Sequence, residues 1–266
     1  MNLNLQGRVV VVTGAASGIG AETARCFAAE GAALALVDRD GDRLAQLQQE
    51  LRAQARVYSV VADLSSAAQV EAAMATVLRE YDGEIDVLVN NVGQCLARSF
   101  DELSDADWLA TFEINFLSAV RAARHLLPVM RRRGAGAIVT NASDLARQPE
   151  ASPPDYQVSK VALVSLTKSL ALAEGPAVRV NAVAPGPVWT PLWTRPGGFA
   201  DTLGHLHGRD AKAAVEYELS KRQLPLGRMG EPREIAAVIA FLASDAASFV
   251  TGSVWGVDGG SIRGLL

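Results

Sequence analysis

A chain of 266 residues is long enough for one large α/β domain with a well-buried core, or for two small ones. With 49% hydrophobic and 20% charged residues it is apolar enough to fold, and a formal net charge of -4 gives no electrostatic reason to bind nucleic acid or an anionic membrane. Cys26 and Cys95 alone make neither a disulfide framework nor a metal cluster; with no cleavable signal at the N-terminus and no apolar run long enough to cross a bilayer, a cytoplasmic protein acting on a small molecule is expected.

In chain order, short and nearly continuous apolar runs at 8–13, 33–38, 56–60, 86–89, 137–140, 178–183 and 254–257 read as strands covered on both faces. Helical patterns fill the gaps at 19–30, 43–52, 67–81, 105–132, 156–174 and 232–242. The long stretch 105–132 carries Trp108, Phe112, Phe116, Val120, Ala123, Leu127 and Met130 at intervals of three and four, which predicts one buried stripe. Arg131, Arg132 and Arg133 then offset the dipole at a helix end that Gly134 terminates. The region 186–226 is rich in Gly and Pro with little periodicity and reads as a lid. No linker and no internal repeat interrupts the chain, so a single domain is expected. Its fold class is α/β, a doubly wound parallel sheet of Rossmann type with about seven strands, helices on both faces and ligands at the carboxyl ends of the strands.

The first strand ends in Thr13-Gly14-Ala15-Ala16-Ser17-Gly18-Ile19-Gly20, and a helix opens inside this turn. Glycines there permit a tight turn and close approach of a pyrophosphate, which the positive helix N-terminus attracts. Asp38 ends the second strand, where a carboxylate accepts hydrogen bonds from both hydroxyls of an adenosine ribose and repels a 2′-phosphate. NAD is therefore expected over NADP. Arg39 is the residue able to soften that preference, and the alternative for Asp38 is a cap on the helix that follows. Further on, Tyr156 and Lys160 lie one helical turn apart on the same face, where an ammonium can stabilise a phenolate. Alone this is a common spacing. With the glycine turn it gains chemical meaning, because a hydride leaves an alcohol carbon only if a base takes the hydroxyl proton.

Together these motifs resemble the short-chain dehydrogenase/reductase family over essentially the whole chain. Asn90-Asn91-Val92-Gly93 is similar to the family's Asn-Asn-Ala-Gly segment, with Val92 in place of Ala, and Asp63 with Leu64 matches the acid segment that contacts adenine. Asn115 and Ser143 match the family's active-site Asn and Ser. Pro185-Gly186-Pro187-Val188-Trp189-Thr190 is similar to the segment that grips the nicotinamide, with Val188 and Thr190 at the contact positions. The resemblance implies that Tyr156 is the general acid/base and Ser143 orients the reacting oxygen. It also implies that Lys160 holds the nicotinamide ribose and activates Tyr156, and that Asn115 supports a water chain from Lys160. Asp144, after Ser143, departs from the usual small or apolar residue; it either makes a local turn bond or faces the substrate.

The expected activity is interconversion of a secondary alcohol and a ketone. The alternatives are a 3-oxoacyl reductase and a non-catalytic NAD sensor, the latter disfavoured because Ser143, Tyr156 and Lys160 are all present. Trp189, Leu192, Trp193, Phe199 and Leu203 suggest either an apolar or ring-containing substrate or packing of the lid. His205 and His207, lacking a ligand pattern, suggest a surface loop and no metal. The resemblance further implies a homotetramer built on the long helix and the Tyr156 helix.

Overall fold

The computed structural model describes residues 2–264. The apolar runs form seven strands, β1 (Val9–Thr13), β2 (Ala33–Asp38), β3 (Val57–Val61), β4 (Val87–Asn90), β5 (Gly136–Asn141), β6 (Val178–Pro185) and β7 (Val254–Val257). They make one wholly parallel sheet in the order β3-β2-β1-β4-β5-β6-β7. Parallel neighbours need crossovers, and helices supply them. These are α1 (Gly18–Ala29), α2 (Gly41–Leu51), α3 (Ala67–Glu80), α4 (Asp105–Phe112), α5 (Ser118–Arg133) and α6 (Pro154–Glu174). After β6 come α7 (Pro191–Thr194), α8 (Phe199–His207), α9 (Ala211–Arg222) and α10 (Pro232–Ala243).

Because successive strand residues point to opposite faces, an unbroken apolar strand feeds two cores at once. From β1, Val10 and Val12 pack with Ala24 and Phe27 of α1, Leu44 of α2 and Ile239 of α10, while Val9 and Val11 pack with Met74 of α3 and Leu126 and Met130 of α5. Each fully buried side chain of this size contributes roughly 1.5–3 kcal/mol, so the two layers fix where the strand ends lie. Strand order reverses direction at β1, which opens a crevice between the carboxyl ends of β1 and β4.

Three expectations need correction. The stretch 105–132 is not one α-helix: a π turn, Glu113–Leu117, separates α4 from α5 and contains Asn115. Its apolar stripe is accordingly divided. Ala123, Leu127 and Met130 are buried, whereas Trp108, Phe112, Phe116 and Val120 stay half-buried. The segment 186–226 is largely helical, with α8 and α9 enclosing a small apolar cluster of Ala200, Leu203, Ala214, Val215 and Met229. Those helices are too short for periodicity to stand out between their glycines. The arginine run does more than offset a dipole. Arg131 makes a two-point ion pair with Glu174 of α6, and Arg133 meets Asp86 at 3.0 Å. Gly134 ends α5 at φ 67°, as its position predicts.

Candidate active site

A cavity of about 490 Å³ opens at the carboxyl ends of the strands. Its wall begins at the glycine turn. Gly14 has φ +65°, and a Cβ there would meet Val92 Cα at 2.8 Å; at Gly20 it would meet the Gly14 carbonyl oxygen at 2.0 Å. Gly14 therefore keeps the turn tight against the β4 loop, and Gly20 lets α1 lie against β1. Ser17 is the N-cap of α1, yet its side chain makes no capping bond, which leaves the first-turn N–H groups facing the cavity. This cradle suits a pyrophosphate, and Ser17, Gly18 and Ile19 are the residues that would hold it.

Asp38 lines the same cavity. Its Oδ2 accepts from Ala16 N and its Oδ1 from Asp40 N, both at 3.0 Å. The helix cap is instead Asp40, which accepts from Arg43 N at 3.1 Å, so capping does not explain Asp38. Arg39, Asp63 and Leu64 complete this end. Two hydrogen bonds from Ser65, backbone and hydroxyl, hold the Asp63 carboxyl below the usual carboxylate range.

In the middle of the cavity, Gly93, Pro185, Gly186, Val188 and Thr190 form the wall around Tyr156 and Lys160. Gly20 and Asn90 do not reach it. Asn90 is the buried end of β4, and its neighbour Asn91 lines the cavity instead, donating to the carbonyls of Thr13 and Gly14 at 3.0 Å and accepting from Asn141 at 2.9 Å. Asn91 thereby ties the ends of β1, β4 and β5. Asn115 also lies behind the wall. Its Oδ1 accepts from Gln94 N at 2.7 Å while its Nδ2 donates to Gln94 O at 2.9 Å and to Ser159 Oγ at 3.1 Å. The side chain thus clamps the loop that leads from Gly93 to the α6 face.

Lys160 is buried and donates from Nζ to Asn141 O at 2.9 Å; its Nζ is 5.6 Å from the centre of the Tyr156 ring. Burial lowers its pKa to about 8. Tyr156 leaves part of its ring open to the cavity, but desolvation of the phenol drives its pKa above the ordinary value; Cys95 and Asp144 add to this, and a hydrogen bond with Ser143 opposes it. The lowering of Tyr156 expected from Lys160 is therefore not met by the chain alone: desolvation dominates the phenol, and only the Ser143 hydrogen bond acts to lower it.

Ser143 ends β5's extension and caps the short turn Asp144–Ala146, accepting from Leu145 N at 3.2 Å. Its hydroxyl donates to Asp144 Oδ1 at 3.1 Å. Asp144 meets both of its expected fates: Oδ1 accepts from Leu145 N at 2.8 Å in a local turn, and the residue lines the cavity. Its other oxygen accepts from Ser261 Oγ at 2.8 Å and from Arg222 Nη1 at 3.3 Å. Since the Asp144 charge raises the Tyr156 pKa, Asp144→Asn is expected to lower it. The acid limb of the kcat/KM profile for alcohol oxidation should move toward lower pH. An unmoved limb would show that Asp144 does not act on Tyr156.

The walls beyond Tyr156 contain residues whose place in the site was not evident from the sequence. Gln94 and Cys95 follow Gly93 directly, the one available signal; Arg195 and Arg222 come from the 186–226 segment, where no motif marks them. Burial chiefly, with Asp155 adding, pushes the Cys95 thiol up to about 12, so it is an inert wall rather than a nucleophile. Asp155, buried beside Tyr156, accepts from Thr111 Oγ1 at 2.6 Å and from Arg98 at 3.1 Å, which anchors the first turn of α6 to α4. Of the apolar side chains in 186–226, Leu192, Trp193 and Phe199 line the cavity, Leu203 packs within the segment, and Trp189 is exposed. His205 is exposed, and His207 bonds Glu218, a carboxylate that its sequence neighbourhood does not reveal. No group of three metal-binding side chains occurs among the described residues, and no helix among them is long and apolar enough to cross a membrane.

A parallel sheet with a dinucleotide cradle at its switch point and a Ser, Tyr and Lys in the same cavity defines a nucleotide-dependent oxidoreductase. Residues 14–261 match the family profile described as enoyl-(acyl carrier protein) reductase. The chain is 35% identical to the 3-oxoacyl-[acyl-carrier-protein] reductase FabG of Thermotoga maritima, with 98% of this chain and 100% of that protein covered. It is 38% identical to the cis-4-hydroxycyclohexanecarboxylate dehydrogenase of Sinomonas cyclohexanicum, with 95% and 96% covered. Among solved structures, L-sorbose reductase from Gluconobacter frateurii, complexed with NADPH and L-sorbose, superimposes with a TM-score of 0.91 at 36% identity, covering 100% of both chains. The chain belongs to the short-chain dehydrogenase/reductase family of oxidoreductases.

Proposed function

We propose that this protein interconverts a secondary alcohol and the corresponding ketone by hydride transfer, with Tyr156 moving the hydroxyl proton. The observation that carries this reading is the convergence of Ser143, Tyr156 and Lys160 on the cavity that also holds the glycine cradle and Asp38. NAD(P) bound in that cradle supplies the hydride acceptor or donor. Tyr156 takes the proton from the alcohol, or returns it to the ketone oxygen. Ser143 turns its hydroxyl from Asp144 toward the reacting oxygen and steadies charge developing there. Lys160 presents its ammonium behind Tyr156 and binds ribose hydroxyls, while Asn115 fixes the loop beside them and supports a water chain from Lys160. The 186–226 helices act as a lid that excludes water.

NAD is the preferred cofactor in this proposal, because the Asp38 carboxylate at the cavity wall repels a 2′-phosphate. The NADPH of the sorbose reductase structure gives weight to Arg39, which lines the wall one residue further on. A panel of secondary alcohols and ketones followed at the NADH absorbance band tests both points. Turnover with NAD at least about tenfold more efficient than with NADP is expected from one opposed charge pair. A preference for NADP would mean that Arg39 governs the pocket, and no turnover with any member of the panel would favour the non-catalytic NAD sensor.

The FabG relative favours one second reading, reduction of a 3-oxoacyl group by the same residues. The hydroxycyclohexanecarboxylate dehydrogenase relative, with Leu192, Trp193 and Phe199 on the wall, supports a compact cyclic substrate. The half-buried Trp108, Phe112, Phe116 and Val120, with exposed Val158 and Val161 on α6, support assembly as a homotetramer through α4, α5 and α6. Free Cys26 and Cys95 support a reducing, cytoplasmic setting.

A further inference from the structure

One charge at the substrate end of the cavity has no counterpart. The charged side chains there are Asp144, Lys160, Arg195 and Arg222. Arg222 is neutralised twice, by Asp144 at 3.3 Å and by Glu150 at 2.8 Å. Lys160 is buried behind Tyr156 and committed to the Asn141 carbonyl at 2.9 Å. Arg195 follows α7, is half-buried on the cavity wall, and its guanidinium has neither a carboxylate nor a carbonyl partner among the described residues.

Arg195 lines the same cavity as Tyr156 and Cys95. A small molecule whose reacting carbon lies at Tyr156 shares that cavity with the Arg195 guanidinium. Beside it, Trp193 and Phe199 stand edge to face with ring centres 4.9 Å apart, and Leu192 extends the same apolar wall. A planar guanidinium matches a carboxylate through two parallel hydrogen bonds, and the single charge of a carboxylate is balanced by one free cation. Only one such cation faces this end of the cavity among the described residues.

We infer that the substrate is a secondary alcohol or ketone carrying a carboxylate on a compact apolar body, and that Arg195 receives the carboxylate. The inference rests on the hydride-transfer site proposed above. It assigns Arg195 the choice between charged and uncharged substrates and leaves proton transfer to Tyr156.

The test compares each acid with its uncharged twin: 3-hydroxycyclohexanecarboxylate against its methyl ester, and mandelate against methyl mandelate. For at least one pair, the wild-type protein should use the acid with kcat/KM at least tenfold above the ester, as expected for a charge-assisted pair in a partly desolvated site. Arg195→Met should erase that preference through KM while leaving the ester and the KM for NAD(P)H unchanged, and Arg195→Lys should restore part of it. Equal use of acid and ester, or turnover of uncharged panel alcohols with neither acid accepted, overturns the inference and leaves the hydride-transfer reading intact. A rise in the KM for NAD(P)H in Arg195→Met also overturns it, since the guanidinium would then be a cofactor phosphate ligand. Absence of turnover with every alcohol and ketone tested sinks both.

Discussion

Tyr156→Phe is expected to reduce turnover by about 10³–10⁴-fold while NADH still binds with its wild-type affinity. General acid–base catalysis is worth 10²–10⁴-fold, and here no other group is placed to replace the phenol oxygen: Ser143 is an un-ionised hydroxyl engaged with Asp144, and Lys160 donates to Asn141. The ring itself is retained, so the wall between Cys95 and Lys160 keeps its shape. Cofactor affinity should hold because the cradle at Ser17–Gly20 and the Lys160 ammonium are untouched. Stopped-flow turnover together with NADH fluorescence titration separates the two effects. Activity within tenfold of wild type would remove Tyr156 from the mechanism, and a parallel loss of NADH binding would make its role structural.

Replacing Lys160 by Met should abolish most turnover and, against intuition, stabilise the cofactor-free protein. Burial lowers the pKa of Lys160 from 10.5 to about 8. Below pH 8 both the folded and unfolded chains carry the proton, and the folded chain bears the full cost of a buried ammonium, about 3 kcal/mol. Between pH 8 and 10.5 the unfolded chain holds more protons than the folded one, so that cost is relieved and wild-type stability rises with pH. Met fills similar space without a charge but forfeits the Asn141 hydrogen bond, worth about 1 kcal/mol. The net expectation at pH 7 is a gain of about 2 kcal/mol, or about 4–8 °C in Tm for a domain of this size. Thermal unfolding at pH 7 and pH 10 checks the sign: the gap should narrow at the higher pH. A variant less stable than wild type at pH 7 would mean that the ammonium is compensated by its surroundings.

The parts of this molecule that the sequence discloses are those where one physical requirement dominates. Strands buried on both faces must be continuously apolar, so β1, β2 and β4 stand out in Val9–Thr13, Ala33–Asp38 and Val87–Asn90. The turn at Gly14 and Gly20 is legible because a side chain at either position collides with backbone. Other features depend on a balance that only coordinates weigh. The four-residue spacing of Phe112, Phe116 and Val120 runs across Glu113–Leu117 as if it were α-helix, and no residue there announces a π turn. The pairing of Tyr156 and Lys160 is visible, but desolvation of both is not, and it reverses the expected direction for the phenol. Arg195 and Arg222 occupy the same cavity with opposite fates because Asp144 and Glu150 reach only the second.

The π turn also bears on how the chain tolerates changes in length. Such a turn is an α-helix with one residue inserted, and each residue of an α-helix advances the rotation by 100°. Because the wide turn is what absorbs the extra residue, deleting one residue within Glu113–Leu117 should relax the segment to plain helix and leave α4 and α5 in their present rotational register, whereas a deletion elsewhere in either helix swings one side by that angle. The change is local: the wide turn that carries the Asn115 amide to the Gln94 backbone is lost, while the Trp108–Phe112 side keeps the surface it shares with α6. A chain shortened there is expected to keep its helix packing and lose the Asn115 clamp, although every side chain on the cavity wall other than Ile114 lies outside the altered segment.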